Sequence, residues 1–210
     1  MRIAIIGAGR LGGALAARLD AAGHDVMVAS RRTADSERAV ASLARARPVA
    51  AAEAVDSAEV VILTVRFADV PGALAPIAAR LNGVVLWSCV NALTPDFSGL
   101  AIGFDDSAAE TVARLVPGAR VVAALPPFAE PLASGALDYG GRAPSTFVCG
   151  DNPMAKAKVT GLLRELGVAP VDAGPLEAAR LVEPAMMLLV RLAYGAAAPR
   201  DVALALLERP

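Results

Sequence analysis

A chain of 210 residues is long enough for one large domain, or for one domain with a small appendage. Apolar residues make up 56% of it and charged ones 20%, which supplies a sizeable core and excludes global disorder. The formal charge of −1 gives no general attraction for nucleic acid or an anionic membrane, so a small-molecule partner is expected.

The two cysteines, Cys89 and Cys149, are far apart and have no histidine nearby, so neither a disulfide framework nor a metal site is expected. The chain runs straight into an apolar strand with no export signal ahead of it, and residues 184–190 are too short a run to span a bilayer. A cytoplasmic protein is expected.

In chain order, residues 2–6 read as a short apolar strand, and Gly7, Gly9 and Gly12 then make a G-x-G-x-x-G turn with Ala8, Arg10 and Leu11 between them. Leu11, Ala14, Leu15, Ala17, Arg18 and Leu19 continue at helical spacing to a stop at residues 22–25. Residues 26–29 form a second strand. Strand, glycine turn, helix and strand together are the context a dinucleotide fingerprint requires. In it Gly7 permits the tight turn, Gly9 lets the backbone approach a pyrophosphate, and Gly12 lets the helix pack close to the sheet. The first free amides of the helix favour an anion there. The alternative is a scaffold of the same shape without a nucleotide.

The second strand ends at Ser30-Arg31-Arg32, with no carboxylate until Asp35. An NAD site places Asp or Glu at that point, whereas a hydroxyl and two guanidiniums suit a ribose 2′-phosphate. NADP(H) is therefore expected over NAD(H). A plain solvated turn is the other reading of the two arginines.

A helix is expected over 33–46, a short strand over 48–50, a helix over 52–57 and a central parallel strand over 59–65. A helix over 69–81 and a strand over 83–87 follow. Ligands of such sheets bind outside the carboxyl ends of the strands, which brings residues 7–12, 64–67 and 88–91 to one crevice. There Thr64 and Val65 would line the cofactor and Arg66 would meet a phosphate. Phe67 would cap a ring of the cofactor or merely pack helix on sheet. Asn91 would bond the nicotinamide ribose or a substrate, or simply form a turn.

Residues 96–105 read as a polar loop, and 107–115 as a helix opened by a Ser107/Glu110 capping box. Strands are expected at 120–125 and 146–149. The Pro- and Gly-rich stretch 126–145 between them leaves a carboxyl end of the sheet and reads as a substrate lid, or else a mobile connection. Leu125, Pro126, Pro127 and Phe128 would face the substrate. A helix over 151–166, a strand over 168–171, a turn at 172–175, a long helix over 176–194 kinked at Pro184 and a short helix over 201–208 complete the chain. Leu181, Met186, Leu188, Leu189 and Leu192 make the long helix apolar on more than one face, to be buried against the body or a second subunit. The fold class is α/β: a Rossmann-type, doubly wound, mostly parallel sheet over residues 1–175, with a helical appendage at 176–210. His24 is expected at the surface, remote from the chemistry.

The fingerprint, the Ser30-Arg31-Arg32 ending, and the stretches VCGDNPMAKAKVTGLLRELGVAPVDAGPL at 148–176 and DAGPLEAARLVEP at 172–184 resemble the NADPH-dependent deazaflavin-coenzyme (F-420) reductases and the dinucleotide-binding proteins related to them. That resemblance implies a Rossmann domain with a small helical C-terminal part, a homodimer, and hydride transfer between NADPH and a deazaflavin. The cofactors carry the reactive atoms of that chemistry, so no catalytic acid or base is required. The substrate side departs from the pattern. Residues 124–129 are Ala-Leu-Pro-Pro-Phe-Ala, where the reductases carry a histidine, and Asn91 is followed by Ala92 rather than proline. Two other functions stay open. One is NADPH-dependent reduction of a small carbonyl or imine, with Ser88, Cys89, Asn91, Glu130, Tyr139, Glu183 and Tyr194 as polar candidates for a proton donor. The other is an NADP(H)-binding sensor without turnover.

Overall fold

The computed structural model describes residues 1–195, 201–207 and 209. Five short apolar segments make the parallel part of one sheet: β1 (Arg2–Ile6), β2 (Asp25–Ala29), β4 (Val60–Leu63), β5 (Val85–Ser88) and β6 (Arg120–Ala124), with the two-residue β3 (Arg47–Pro48) on the β2 edge. Beyond β6 the direction reverses. β7 (Ser145–Gly150) runs antiparallel to β6, and β8 (Ala169–Gly174) runs parallel to β7. The order is β3-β2-β1-β4-β5-β6-β7-β8, so the strand order turns back between β1 and β4.

Both faces are covered, which is why the strands read as continuous apolar runs. On β1, Ile3 and Ile5 join one core with Leu15, Leu19 and Trp87, while Ala4 and Ile6 join the other with Leu74, Leu81 and Val112. The first face carries α1 (Arg10–Ala21), α2 (Thr33–Val40), α6 (Ala129–Ser134) and α7 (Pro153–Glu165). The second carries α3 (Ala51–Ser57), α4 (Val70–Leu74) and α5 (Ala108–Leu115). Ser107 caps α5 as expected, its Oγ accepting from Glu110 N at 3.1 Å. Asn152 caps α7, its Oδ1 accepting from Ala155 N at 2.9 Å. Among the described residues no helix is long and apolar enough to cross a membrane.

Several expected elements come out differently, each for a physical reason. The helix expected over 33–46 ends at Val40, because the Asp20 carboxylate on α1 gathers the amides of Ala44, Arg45 and Ala46 at 3.0, 2.8 and 2.7 Å. Amides that donate to that carboxylate are not available to the carbonyls four residues back, as a continuing helix requires. The helix expected over 69–81 is broken into α4 and two flanking 3-10 turns, Phe67–Asp69 and Ala78–Leu81. Pro76 has no amide to continue α4, and its ring would meet the carbonyl four residues back. The long C-terminal helix opens as a 3-10 turn, Leu176–Ala178, and continues as α8 (Ala179–Tyr194), with Pro184 inside it.

The last helix, expected over 201–208, is absent from 201–207; Glu208 lies outside the described residues. That segment instead runs beside the start of β7, where Ser145 N donates to Leu204 O at 2.7 Å and Leu206 N to Ser145 Oγ at 2.9 Å. His24 is buried rather than at the surface, with Nε2 against Glu165 Oε2 at 2.6 Å. The Pro- and Gly-rich stretch 126–145 is no loose connection. It holds α6, whose Leu132 is fully buried beside α1, and closes at Gly135 in a left-handed conformation (φ 72°).

Candidate functional site

The carboxyl ends of β1, β2 and β4 open onto a hollow of about 640 Å³. Gly7, Ala8 and Gly9 form one wall, Ser30, Arg31 and Arg32 the second, and Thr64, Val65 and Arg66 the third. The glycines differ in what the fold asks of them. A Cβ on Gly12 would stand 1.9 Å from Gly7 O, so α1 touches the end of β1 only because that atom is missing. Gly7 has φ +119°, which side-chain-bearing residues rarely adopt. Gly9 is different: its φ is −75° and nothing lies within 4 Å of where a Cβ would be. Nothing in the fold itself requires glycine there.

Gly9 is also the N-cap of α1, and no side chain caps that end; the first turn carries no acid. The free amides therefore face open space with the positive end of the helix dipole behind them, as a pyrophosphate requires. Thr64 ties the turn down by donating from Oγ1 to Gly7 O at 2.8 Å. At the far end of the hollow the guanidiniums are not free. Arg32 forks onto Asp35 through Nε (2.8 Å) and Nη2 (3.1 Å), while Asp69 meets Arg66 at 3.3 Å and Arg31 at 3.7 Å. Adding Arg38, which meets Asp35 at 3.4 Å, four arginines face two carboxylates. The corner keeps a positive excess, and it is pre-arranged around oxygen anions.

Phe67 does not line this hollow. Its ring packs with the core under β4, the plainer of its two expected roles. Arg10, Leu11 and Asn91 also lie outside it. They line a second, larger hollow of about 740 Å³ on the other side of the glycine turn, together with Leu125, Pro126, Pro127 and Phe128. The single crevice expected from strand ends is thus two hollows meeting at Gly9-Arg10.

Two stretches of the larger wall were not anticipated. Residues 93–98 fold over it as a small loop clasped by Asp96, which accepts from Thr94 Oγ1 at 2.6 Å and Ser98 Oγ at 2.8 Å. Those hydroxyls hold the Asp96 carboxyl down to about 2. The loop presents Phe97, half exposed at φ 58°. The short Thr-Pro-Asp-Phe-Ser run was the one available signal of such a turn. The other stretch is the end of α8, which contributes Met186, Val190, Arg191 and Tyr194. Nothing local in the sequence reveals which face of α8 does this. Arg10, Glu130 and Tyr194 meet at the rim: Arg10 Nη1 donates to Glu130 at 3.2 Å, and the Tyr194 hydroxyl donates to it at 3.3 Å.

The seven polar candidates separate clearly. Cys89, Asn91, Glu130 and Tyr194 line the larger hollow; Ser88, Tyr139 and Glu183 do not. Burial pushes the Cys89 thiol well up, so it stands there as a neutral apolar group. Burial and the Glu130 carboxylate raise the Tyr194 hydroxyl, which stays protonated. Tyr139 donates to Asp201 at 2.7 Å, and burial helps to push it up to about 12.

A model of the family described as NADP oxidoreductase, coenzyme F420-dependent, matches residues 2–92, which holds the whole glycine turn and the β5 end. Over 212 aligned residues the chain is 32% identical to the F420-dependent NADP reductase of Methanothermobacter marburgensis, covering 91% of this chain and 92% of that one. This chain belongs to the F420-dependent NADP reductase family. A solved structure of a candidate F420-dependent NADP reductase from Arthrobacter sp. FB24 superimposes with a TM-score of 0.80 at 29% identity, covering 90% of this chain and 91% of that one. A Sinorhizobium meliloti protein of unassigned function does so at 0.78 and 31%, covering 100% and 96%. As a member of the F420-dependent NADP reductase family the protein is an NADP-dependent oxidoreductase, and the glycine turn with its uncapped helix fits that chemistry.

Proposed function

We propose that this F420-dependent NADP reductase relative holds NADP(H) in the smaller hollow and a flat second redox cofactor, F420 or a close analogue, in the larger one. The single observation carrying this is the junction at Gly9-Arg10, where two ligand-sized hollows share the glycine turn. Gly7, Ala8, Gly9 and the first amides of α1 would hold the pyrophosphate. Ser30, Arg31, Arg32 and Arg66 would hold the 2′-phosphate. Thr64, Val65, Gly12, Arg10, Leu11 and Asn91 would set the depth of the nicotinamide end, and Leu125 to Phe128 would back the second ring. Bound NADPH supplies the hydride; the protein aligns two rings and excludes water between them. The walls of Leu11, Leu93, Pro126, Phe128, Met186 and Val190 suit that task.

Loss of NADPH absorbance on mixing the purified protein with oxidised F420 tests the reading. Tight binding of NADPH with no oxidation by any acceptor would sink it and favour the sensor. One observation supports a second reading, reduction of a small carbonyl or imine: the protonated Tyr194 hydroxyl on the wall of the larger hollow is a proton donor. In that case Tyr194→Phe removes a limb of the pH–rate profile, whereas direct transfer to F420 keeps its profile. We also assign a homodimer to the exposed stripe Leu181, Ala185, Leu188 and Leu192 on α8, spaced four, three and four residues apart so that a second copy would bury it.

A further inference from the structure

Glu183 is buried on α8, 3% exposed, and lines neither hollow. Its carboxylate accepts from the amides of Ala108 at 2.9 Å, Ala109 at 3.1 Å and Ala92 at 3.4 Å. Its main-chain carbonyl accepts from Asn91 Nδ2 at 3.2 Å. One residue of α8 therefore grips two consecutive residues beyond the carboxyl end of β5, and also the N-terminus of α5.

This settles the direction of the Asn91 amide. With its NH₂ turned to the Glu183 carbonyl, Oδ1 faces the other way; a flip would set two oxygens against each other. Asn91 lines the larger hollow, and Oδ1 is buried with no partner among the described residues. Buried acceptors are paired in almost every native fold, so an orphan at a ligand wall points to a donor that arrives with the ligand.

We propose that Glu183 is a positioning residue, which clamps Asn91 in one orientation and so presents Asn91 Oδ1 as a pre-set acceptor for an N–H or O–H donor of the ligand in the larger hollow. The inference rests on, and sharpens, the two-hollow reading above. The donor has two chemical sources: the nicotinamide end of NADPH, or the second substrate. Glu183 does not donate a proton to substrate itself, being sealed from it.

The clamp depends on charge. An ionised Glu183 accepts three amides, whereas its acid form turns an O–H toward one of them. Burial pushes the carboxyl up to about 7, against the pull of those amides. Asp106 at the entry to α5 and Cys149 on β7 feel its charge. Asp106 pairs with Arg114, and Arg180, one turn back on α8, pairs with Glu110, while Cys89 lies in the core on the other face of the sheet. Arg114 holds Asp106 low, Arg180 holds Glu110 low, both arginines are raised, and burial raises both thiols. Of these groups Glu183 alone changes charge near neutrality.

The sequence makes the test clean, because it holds three asparagines, Asn82, Asn91 and Asn152, and no glutamine. A nitrogen-labelled spectrum of the ligand-free wild type shows three side-chain amide pairs at most, and the Asn91 pair is expected to shift with a midpoint of about 7. Glu183→Gln adds a fourth pair and should abolish that shift. In kinetics, Asn91→Ala and Glu183→Gln are each expected to lower kcat/KM roughly tenfold, as for one hydrogen bond, with the double variant no worse than either. A raised Kd for NADPH alone assigns the donor to NADPH; a raised KM at unchanged Kd assigns it to the second substrate. An Asn91 pair that ignores pH, or losses that multiply in the double variant, would overturn the inference. Should Glu183→Gln not fold, the wild-type titration and Asn91→Ala still decide. Should the wild type not reduce F420, the functional reading fails, while the titration and the NADPH Kd still judge the clamp.

Discussion

Two glycines in one turn should fail in opposite ways. In Gly12→Ala the new methyl carbon would lie 1.9 Å from Gly7 O and 2.8 Å from Thr64 Oγ1. The first of these is backbone and cannot swing aside, so α1 must move off β1, carrying Leu15 and Leu19 out of a core in which both are fully buried. Overpacking of that kind costs about 3 kcal/mol. In a chain of this size that is a fall of roughly 6–12 °C in Tm. In Gly9→Ala the methyl meets nothing and the backbone is already extended, at φ −75° and ψ −170°. Losing a glycine N-cap for alanine costs only about 0.5–1 kcal/mol. The same methyl stands where the pyrophosphate must approach, so NADPH should bind at least about tenfold more weakly, or roughly 1.4 kcal/mol. Thermal unfolding with and without NADPH reads both effects, since a ligand that has lost affinity also loses its stabilisation. A Gly9→Ala protein that binds NADPH like wild type, or a Gly12→Ala protein that melts like it, would refute the division of labour.

Replacing Arg31 and Arg32 with Ala should weaken NADP(H) binding by about 2 kcal/mol or more and leave NAD(H) nearly unchanged, as titration calorimetry would record. Equal losses would place both arginines outside the 2′-phosphate corner. Asp35→Asn removes one of the two acceptors that hold Arg32 and a negative charge from the wall, so NADPH binding should tighten; weaker binding would mean that Asp35 orients Arg32 rather than competing for it. Glu183, raised from 4.5 to about 7, binds its proton more tightly folded than unfolded. Its contribution to stability is therefore full below the unfolded value and is lost as pH rises through the folded one, by at most about 3 kcal/mol. Denaturant titrations of the wild type should show that decline and those of Glu183→Gln should not; parallel curves would mean that the carboxyl titrates normally. Leu188→Glu on α8, 59% exposed, should yield monomers by light scattering with little change in Tm. An unchanged mass would clear that face of the dimer contact.

The first half of the fold is legible from short-range chemistry. The turn at Gly7 and Gly12, the stop after α1, the apolar run within β1 and that within β4, and the Ser107 cap of α5 all depend on residues within a few positions of one another. The ends of parallel strands also fall together by topology alone, which gathers Gly7 to Gly9, Ser30 to Arg32 and Thr64 to Arg66. The break in α4 lay in reach too, since Pro76 forbids the longer helix. What failed was set by partners far along the chain. α2 ends where it does because a carboxylate 24 to 26 residues earlier takes its would-be amides. Residues 201–207 are not helical, and Ser145, about sixty positions back, offers Leu204 an amide and Leu206 a hydroxyl. The larger hollow is the extreme case. Asn91 reads as a turn residue or a ligand contact until Glu183, 92 positions on, turns its amide, and no periodicity in α8 says that Met186 and Tyr194 close the same wall. Sequence determined the smaller hollow, because backbone conformation and strand order are local or topological properties. The larger hollow was decided by tertiary packing, because the direction of a buried polar side chain depends on whichever distant donor or acceptor the fold brings against it.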